Sequence, residues 1–316
     1  MIQKMIIGRI GNQLFQYSTI RSYMIKYGIN QELCFNFDLV GSDSNNGYCD
    51  SLSLLNTLPY KTTKKIKTTF SQKIIIFFIK AIEKIIDTAK GKSREKRIYN
   101  FEKRIQKFIN KFGIFWVRYG FIPLGPCKYN KDNLIFHGFF ESEKFFKENF
   151  DLFKDELKLT TKISQEDKKL AKTLKDNNYT CISIRRGDFI TNPVFAKKHY
   201  ICNPEYFYRA INKHEELVSE TNYYICSDDI EWCKKNLKIK AKNIIFEKPT
   251  NTLEEKIYLM TNCRNYIMSN STFSWWTMYL SNSDNKIVIA PKKWRINDYT
   301  LGKTLNDIYQ NNWVLV

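Results

Sequence analysis

The chain has 316 residues, 43% of them apolar and 26% charged, with a formal net charge of +19 and eight cysteines. That length accommodates two domains, each able to bury its own core, and the composition excludes extended disorder. No CxxC pair or Cys/His spacing suits zinc, and the longest apolar run, Ile74 to Ile79, falls far short of the ~20 residues of a spanning helix.

The N-terminus, MIQKMIIGRIGNQ, reaches glycine and polar residues too early for the apolar region of a signal peptide. A reduced, metal-free cytoplasmic protein is the expectation. The positive charge is uneven: residues 61–119 hold 17 Lys or Arg against four acids, a net +13. Only 11 of the 51 basic residues are Arg, a bias that an AT-rich genome would produce across the chain, but it does not explain the clustering.

In chain order, Met5 to Ile7 reads as a buried strand, followed by a glycine turn and a helix with Leu14, Tyr17, Ser18 and Arg21 at helical spacing. Residues 38 to about 60, rich in Asp, Ser, Asn and Gly, read as loops. In FSQKIIIFFIKAIEKIIDTAK, the residues Ile75, Phe78, Ile79, Ile82, Ile85 and Ile86 fall along one face of an amphipathic helix. Packing on its own domain is one reading of that helix; the Lys and Arg beside Phe and Ile also suit an anionic membrane surface.

From about residue 160 short apolar strands alternate with helices: a helix near 163–176, then strands YTCISI, YYICS, KNIIF, NYIMS and KIVIA, with helices opening at Pro204 and after Asp228 and Thr252, and one through FSWWTMYL. Such alternation predicts a parallel sheet covered on both faces, in a second α/β domain. The expected domains are 1–160, with a basic helical insertion at about 61–119, and 161–316.

Open α/β sheets bind ligands beyond the carboxyl ends of their strands. Those ends are GRIGNQ in the first half and IRRGDF, CSDD and SNSTFS in the second. The glycines of GRIGNQ, Gly11 among them, permit close backbone approach, and Asn12 and Gln13 supply amide donors. Arg185 and Arg186 project to opposite sides of an extended backbone, so one faces a ligand while the other meets a carboxylate or a loop carbonyl. A structural salt bridge explains either arginine alone; the pair followed by Gly187 and Asp188 fits an anion site, because guanidinium groups match the oxygens of a diphosphate. Ser227 or Asp228 reads as a helix N-cap, with Asp228 also able to accept hydrogen bonds from a base or ribose. Ser271 or Thr272 caps the next helix, and the hydroxyls exceed what one cap needs, which suggests a phosphate-cradling helix start. Trp275 and Trp276 would then anchor that helix to the sheet.

GRIGNQLFQYS, HGFFESEKFF, SIRRGDF, HYICNPEYFYRAI and MTNCRNYIMSNSTFSWW, in that order, resemble the α-1,2-fucosyltransferases of glycosyltransferase family 11. The resemblance spans both expected domains; residues 38 to about 130 carry no motif of it. It implies an α/β, GT-B-like fold: two facing Rossmann-like domains with parallel sheets and an inter-domain cleft, the first on the acceptor side. It further implies GDP-β-L-fucose as donor, no metal or other cofactor, and inverting transfer to the 2-hydroxyl of a galactose unit. On that analogy Arg185 and Arg186, with Asp188 beside them, are the catalytic residues. Gly11, Asn12, Gln13, Ser183, Asp228, Asn270, Ser271, Thr272, Phe273 and Ser274 would bind the donor, and His199 would face the acceptor.

This chain has Ser183 where His is common in the family and Arg9 where a small residue is common. No carboxylate stands out as a general base: Asp188 reads as a brace for Arg186 or its loop, and His137 as a core or loop residue. The expected partners are GDP-fucose, a galactose-containing oligosaccharide or lipid-linked glycan, and an anionic membrane touched peripherally from the cytoplasmic side. A fucosyltransferase of other linkage and a basic nucleic-acid- or membrane-binding protein are the alternatives. No RNA-recognition aromatic motif, zinc finger or helix-turn-helix supports nucleic acid.

Overall fold

A computed structural model describes residues 1–40, 52, 59–88, 94–295 and 307–316. The chain forms two compact units: Met1–Thr160 with Thr300–Tyr309, and Thr161–Tyr299 with Gln310–Val316. The first unit thus takes residues near the C-terminus that the sequence assigned to the second. Of the described residues there, Asp307 accepts the Phe121 N–H at 2.8 Å and pairs with Lys144.

The first unit is an α/β layer around five strands, β1 (Ile2–Met5), β2 (Leu33–Asn36), β3 (Tyr60–Thr62), β4 (Ile114–Val117) and β5 (Leu134–Gly138). They pair in the order β3-β2-β1-β5-β4, all parallel. Strand β1 stops at Met5 rather than Ile7, because the Gln16 side chain accepts the Ile7 N–H at 3.2 Å and donates to the Ile7 carbonyl at 2.7 Å. The chain is thereby turned into α1 (Ile10–Lys26) through Gly8, whose φ of +76° favours glycine. Helix α1 covers one face of the sheet, with Tyr23 against Phe115 and Phe136 at 4.6 and 5.4 Å between ring centroids.

Helices α2 (Phe70–Thr88) and α3 (Arg94–Asn110) lie between β3 and β4, so residues 61–119 contribute two strands to the sheet as well as the basic helices. Ile79 of α2 and Ile109 of α3 pack on Ile114 and Trp116 of β4. Polar anchors set the rotation of α2: Gln72 donates to the carbonyls of Phe112 and Asn133, and Glu83 accepts from Trp116 Nε1 at 2.9 Å and pairs with Arg118 at 3.0 Å. The single apolar face expected for α2 is therefore divided. Ile75 and Ile79 point inward, whereas Phe78, Ile82 and Ile85 point outward.

The second unit holds six parallel strands, β6 (Thr180–Ile184), β7 (Asn222–Ser227), β8 (Asn243–Phe246), β9 (Asn265–Met268), β10 (Val288–Ala290) and β11 (Val314–Leu315). Their order is β11-β10-β9-β6-β7-β8, the doubly wound sequence of a dinucleotide-binding fold, whose strand order reverses between β6 and β9.

The helices are α4 (Gln165–Asp176), α5 (Gly187–Thr191), α6 (Pro193–His199), α7 (Pro204–Glu215), α8 (Ile230–Asn236), α9 (Leu253–Thr261) and α10 (Thr272–Tyr279). Their starts are written in sequence: Ser164 caps α4, Asn203 caps α7 ahead of Pro204, and Thr252 with Glu255 forms a capping box on α9. Strand β6 is buried along its whole length, as expected for a strand covered on both faces.

Candidate functional site

Strands β9, β6 and β7 are neighbours, so the segments after them, SNSTFS, RRGD and SDD, meet at the carboxyl edge of one sheet. That edge, at the reversal of strand order, is where such sheets bind nucleotides. The hydroxyls of Ser183 and Ser274 lie 2.6 Å apart in a buried contact, and the Ser269 N–H reaches the Ser183 carbonyl at 3.0 Å. These bonds fix the start of α10 beside the end of β6.

Helix α10 is held from below by its tryptophans. Trp275 and Trp276 are 0% and 1% exposed, their rings meet edge-on at 5.1 Å, and Trp275 stacks on Tyr279 at 4.6 Å. Ser271 occupies the N-cap position but makes no side-chain cap bond. Ser271, Thr272 and Phe273 are half-buried. The first turn of α10 thus presents backbone N–H groups and hydroxyls with a favourable dipole for an anion.

Arg185 and Arg186 both meet carboxylates. Arg185 bonds Asp188 through Nη2 at 2.5 Å and Asp228 through Nη1 at 2.6 Å. Arg186 bonds Asp229 through Nε at 3.0 Å, and its guanidinium lies 3.4 Å from the centroid of the Trp232 ring. Each guanidinium has five N–H donors, so these contacts orient the forks and leave donors for a ligand. Asp188 braces Arg185, not Arg186 as the sequence suggested. The cap of α8 is Asp229, which accepts the Trp232 N–H at 3.3 Å, rather than Ser227 or Asp228. Asp228, solvent-exposed, instead accepts the Arg186 N–H at 2.8 Å.

A second layer supports these groups. Glu247 is buried, accepting the Ser227 N–H at 2.8 Å and the Lys256 ammonium at 3.1 Å. Ser227 Oγ accepts the Asp229 N–H at 3.0 Å. Burial and the adjacent Glu247 carboxylate push the Cys226 thiol well above its ordinary range, so it stays a neutral donor to Glu247 at 2.8 Å.

Other expected residues fall differently. Asn270 is buried and spends its amide N–H groups on the carbonyls of His199 and Trp294, both at 2.9 Å, while its oxygen accepts from Cys202; it ties loops together and does not face a ligand. Ser183 and Ser274 satisfy each other below the surface. His199 lies in the same unit, its ring stacked on Phe189 at 5.1 Å, and Phe189 in turn carries the Arg185 guanidinium at 5.8 Å.

Gly11, Asn12 and Gln13 form the first turn of α1 in the first unit. Gln13 is buried and donates to the Gly8 carbonyl at 3.0 Å, so its amide braces the turn. His137, at the end of β5, stacks on Trp116 at 3.7 Å, and burial with nearby cations lowers its pKa well below the usual value. Sequence reasoning missed Asp229, Trp232 and Glu247. The first two carried a signal in SDDIEW, an acid followed three residues later by an aromatic in the first turn of a helix; Glu247 carried none.

The family described as Glycosyl transferase family 11 matches residues 1–316. An alpha-1,2-colitosyltransferase of Escherichia coli is 30% identical over 92% of this chain and 90% of its own length. The O-antigen biosynthesis glycosyltransferase WbnK of Escherichia coli is 30% identical over 43% of this chain and 44% of its own. Galactoside alpha-(1,2)-fucosyltransferase 2 of Mus musculus is 23% identical over 34% of this chain and 32% of its own. With the whole chain matched and a relative similar along nine-tenths of both sequences, this protein belongs to glycosyltransferase family 11.

Proposed function

We propose that the protein transfers L-fucose from GDP-β-L-fucose to the 2-hydroxyl of a galactose unit in a surface glycan, with inversion and without a metal. The observation that carries this reading is the adjacency of Arg185 and Arg186 to the α10 N-terminus at the switch point of a dinucleotide-type sheet. In the transfer, the bond from the anomeric carbon to the β-phosphate oxygen breaks and a bond to the acceptor oxygen forms. The electron pair leaves with GDP, and the acceptor proton passes to solvent or a nearby base. Guanidinium N–H groups and the α10 amides stabilise the charge that grows on the diphosphate, which lowers the barrier because that charge is greatest in the transition state. Asp188, Asp228 and Asp229 hold the two forks in place, and His199 lies on the acceptor side of this reading. The acceptor is a galactose-containing oligosaccharide or a lipid-linked glycan, met on the cytoplasmic side of a membrane.

Purified protein with GDP-fucose and lactose should release GDP in the presence of EDTA, and NMR of the product should show an α-1,2 linkage. No turnover on any β-galactoside would refute the reading; another linkage would retain the donor and change the acceptor geometry.

A second reading, a colitose donor, is favoured by the similarity to the colitosyltransferase. Colitose is fucose without its 3-hydroxyl. A site that hydrogen-bonds this hydroxyl should reject the deoxy sugar by on the order of 10⁴-fold, whereas a site with an apolar surface there should not. The ratio of kcat/KM for the two GDP-sugars decides between them.

A further inference from the structure

Helices α2 and α3 carry a surface that the transfer reaction does not use. Facing outward on α2 are Phe70, Phe77, Phe78 and Ile85, at 81%, 67%, 58% and 67% exposure. With Ile74 and Ile82 they recur at three- and four-residue steps, so they form one continuous apolar stripe along the outer side of the helix. Exposed large apolar side chains scattered singly are ordinary, but a stripe over about four turns is not.

Beside this stripe runs a line of lysines. Lys73 and Lys80 are exposed and precede Asp87 at seven-residue steps, and Lys84 follows Lys80 by one turn on the same side. Asp87 pairs with Arg94 of α3 at 2.6 Å, so the lysine line lies along the α3 side of α2. On α3, Lys96, Lys103, Arg104 and Lys107 are exposed as well, away from the side on which Phe101 and Ile105 pack toward α2.

The acids of this region do not offset these cations. Glu83 is buried against Arg118, Glu102 is buried, and Asp87 is taken by Arg94. Of the four acids in 61–119 only Glu95 is left, so the outer surface of the pair is cationic beside an apolar edge.

We propose that the outward faces of α2 and α3 dock the protein on an anionic lipid surface, with α2 lying flat and its Phe and Ile side chains entering the headgroup boundary. The stripe supplies the insertion, and the lysines and arginines supply attraction to lipid phosphates, the two components that hold an interfacial helix. No helix among the described residues is long and apolar enough to cross a membrane, so the contact is peripheral. The charge decides the partner: a second copy of this surface would repel its equally cationic counterpart, and nucleic acid would leave the apolar stripe in water. The inference does not rest on the donor or acceptor proposed above.

The test is vesicle flotation of the full-length protein at low and high salt, with phosphatidylcholine alone and with about a quarter phosphatidylglycerol. The wild type should float only with the anionic vesicles, and less in high salt. Joint Lys73→Gln, Lys80→Gln and Lys84→Gln should weaken binding on the order of 100-fold, at roughly 1 kcal/mol per lysine. Joint Phe77→Ser and Phe78→Ser should abolish the part that survives high salt. Because all five side chains are exposed, each variant should keep the wild-type melting temperature and its turnover on a soluble acceptor. The proposal is overturned if the wild type stays with the soluble fraction, if it floats equally on neutral vesicles, or if the variants float unchanged. It is also overturned if light scattering without lipid shows a dimer that the Phe variant dissolves.

Discussion

The Ser183 and Ser274 hydroxyls form a closed buried pair, 2.6 Å apart, where β6 meets α10. Removing either alone leaves the other unsatisfied in the interior, at a cost of about 1–3 kcal/mol, while removing both leaves no orphan. Ser183→Ala and Ser274→Ala should therefore each lower the urea midpoint, and the double variant should lose less than the sum of the two. Additive losses would show that the contact is not a coupled pair. His at position 183, common in the family, should fold poorly here, because the site is 7% exposed and filled.

Arg185 and Arg186 differ in how they are held, which predicts different kinetic losses. Arg185→Ala removes the group bridged by Asp188 and Asp228 and should lower kcat on the order of 100- to 1,000-fold, as loss of a donor to developing charge does. Arg186→Lys keeps the charge but loses the fork and the flat stacking on Trp232. Trp232→Leu keeps Arg186 and removes only the ring, so it should raise the KM for donor by roughly threefold to tenfold with little change in kcat. Equal effects of Arg186→Lys and wild type on kcat/KM would remove Arg186 from the diphosphate site.

Gly187 is small because of its neighbour. A Cβ there would stand 2.5 Å from Asp228 Oδ2 and 3.8 Å from Arg185 Cζ. Gly187→Ala should push the carboxylate away and tilt Arg185, lowering kcat/KM by about 10- to 100-fold, as small misplacements of catalytic groups do. The melting temperature should hardly move, since Asp228 is exposed and can swing into water. A fall in melting temperature with unchanged kinetics would make the glycine merely structural.

How much of this was legible follows from what each signal depends on. Strands β7 and β9 are short runs of buried Ile, Tyr and Met, and the starts of α4, α7 and α9 are local caps, so a single pass along the chain finds them, whereas the two-residue β11 and the short α5 and α6 carry no such signal. The segments after β6 and β9, RRGD and NSTFS, sit side by side, as strands that pair in parallel require. Both, however, come from one sheet, and the expected cleft played no part in joining them. What the chain order could not give was pairing at a distance. Asp229 rather than Asp228 caps α8, Asn270 turns inward to His199 and Trp294, and Glu247, just past the end of β8, supports Ser227. In the first unit the rotation of α2 depends on Glu83 finding Trp116 and Arg118, more than thirty residues on, so local periodicity placed Phe78 and Ile85 on the wrong face.

That same cluster makes stability depend on pH. Glu102 is buried beside Glu83 and accepts the Arg118 N–H at 3.0 Å, and burial pushes its pKa up to about 8 from 4.5. Below pH 4.5 the carboxyl is protonated folded and unfolded, and its contribution is fully present. Between about 4.5 and 8 the unfolded chain has released the proton while the folded chain still holds it, so stability falls as pH rises, and above 8 the loss is complete. Lys4, whose burial lowers its pKa to about 7, acts in a different window: the unfolded chain keeps its proton up to about 10.5, so from 7 to 10.5 Lys4 makes stability rise with pH. Between pH 5 and 6.5 the buried His137, held well below 6.5, and His214, lowered to about 4, also make stability rise with pH, so it is the difference between the wild type and Glu102→Gln that isolates Glu102. Glu102→Gln is a neutral copy of the protonated side chain and can still accept the Arg118 N–H. Urea unfolding at pH 5, 6 and 7 should show the wild-type midpoint falling progressively relative to that of Glu102→Gln, with the variant the more stable at pH 8. Parallel slopes for the two proteins would mean that Glu102 is ionised in the fold, with Arg118 rather than burial setting its charge.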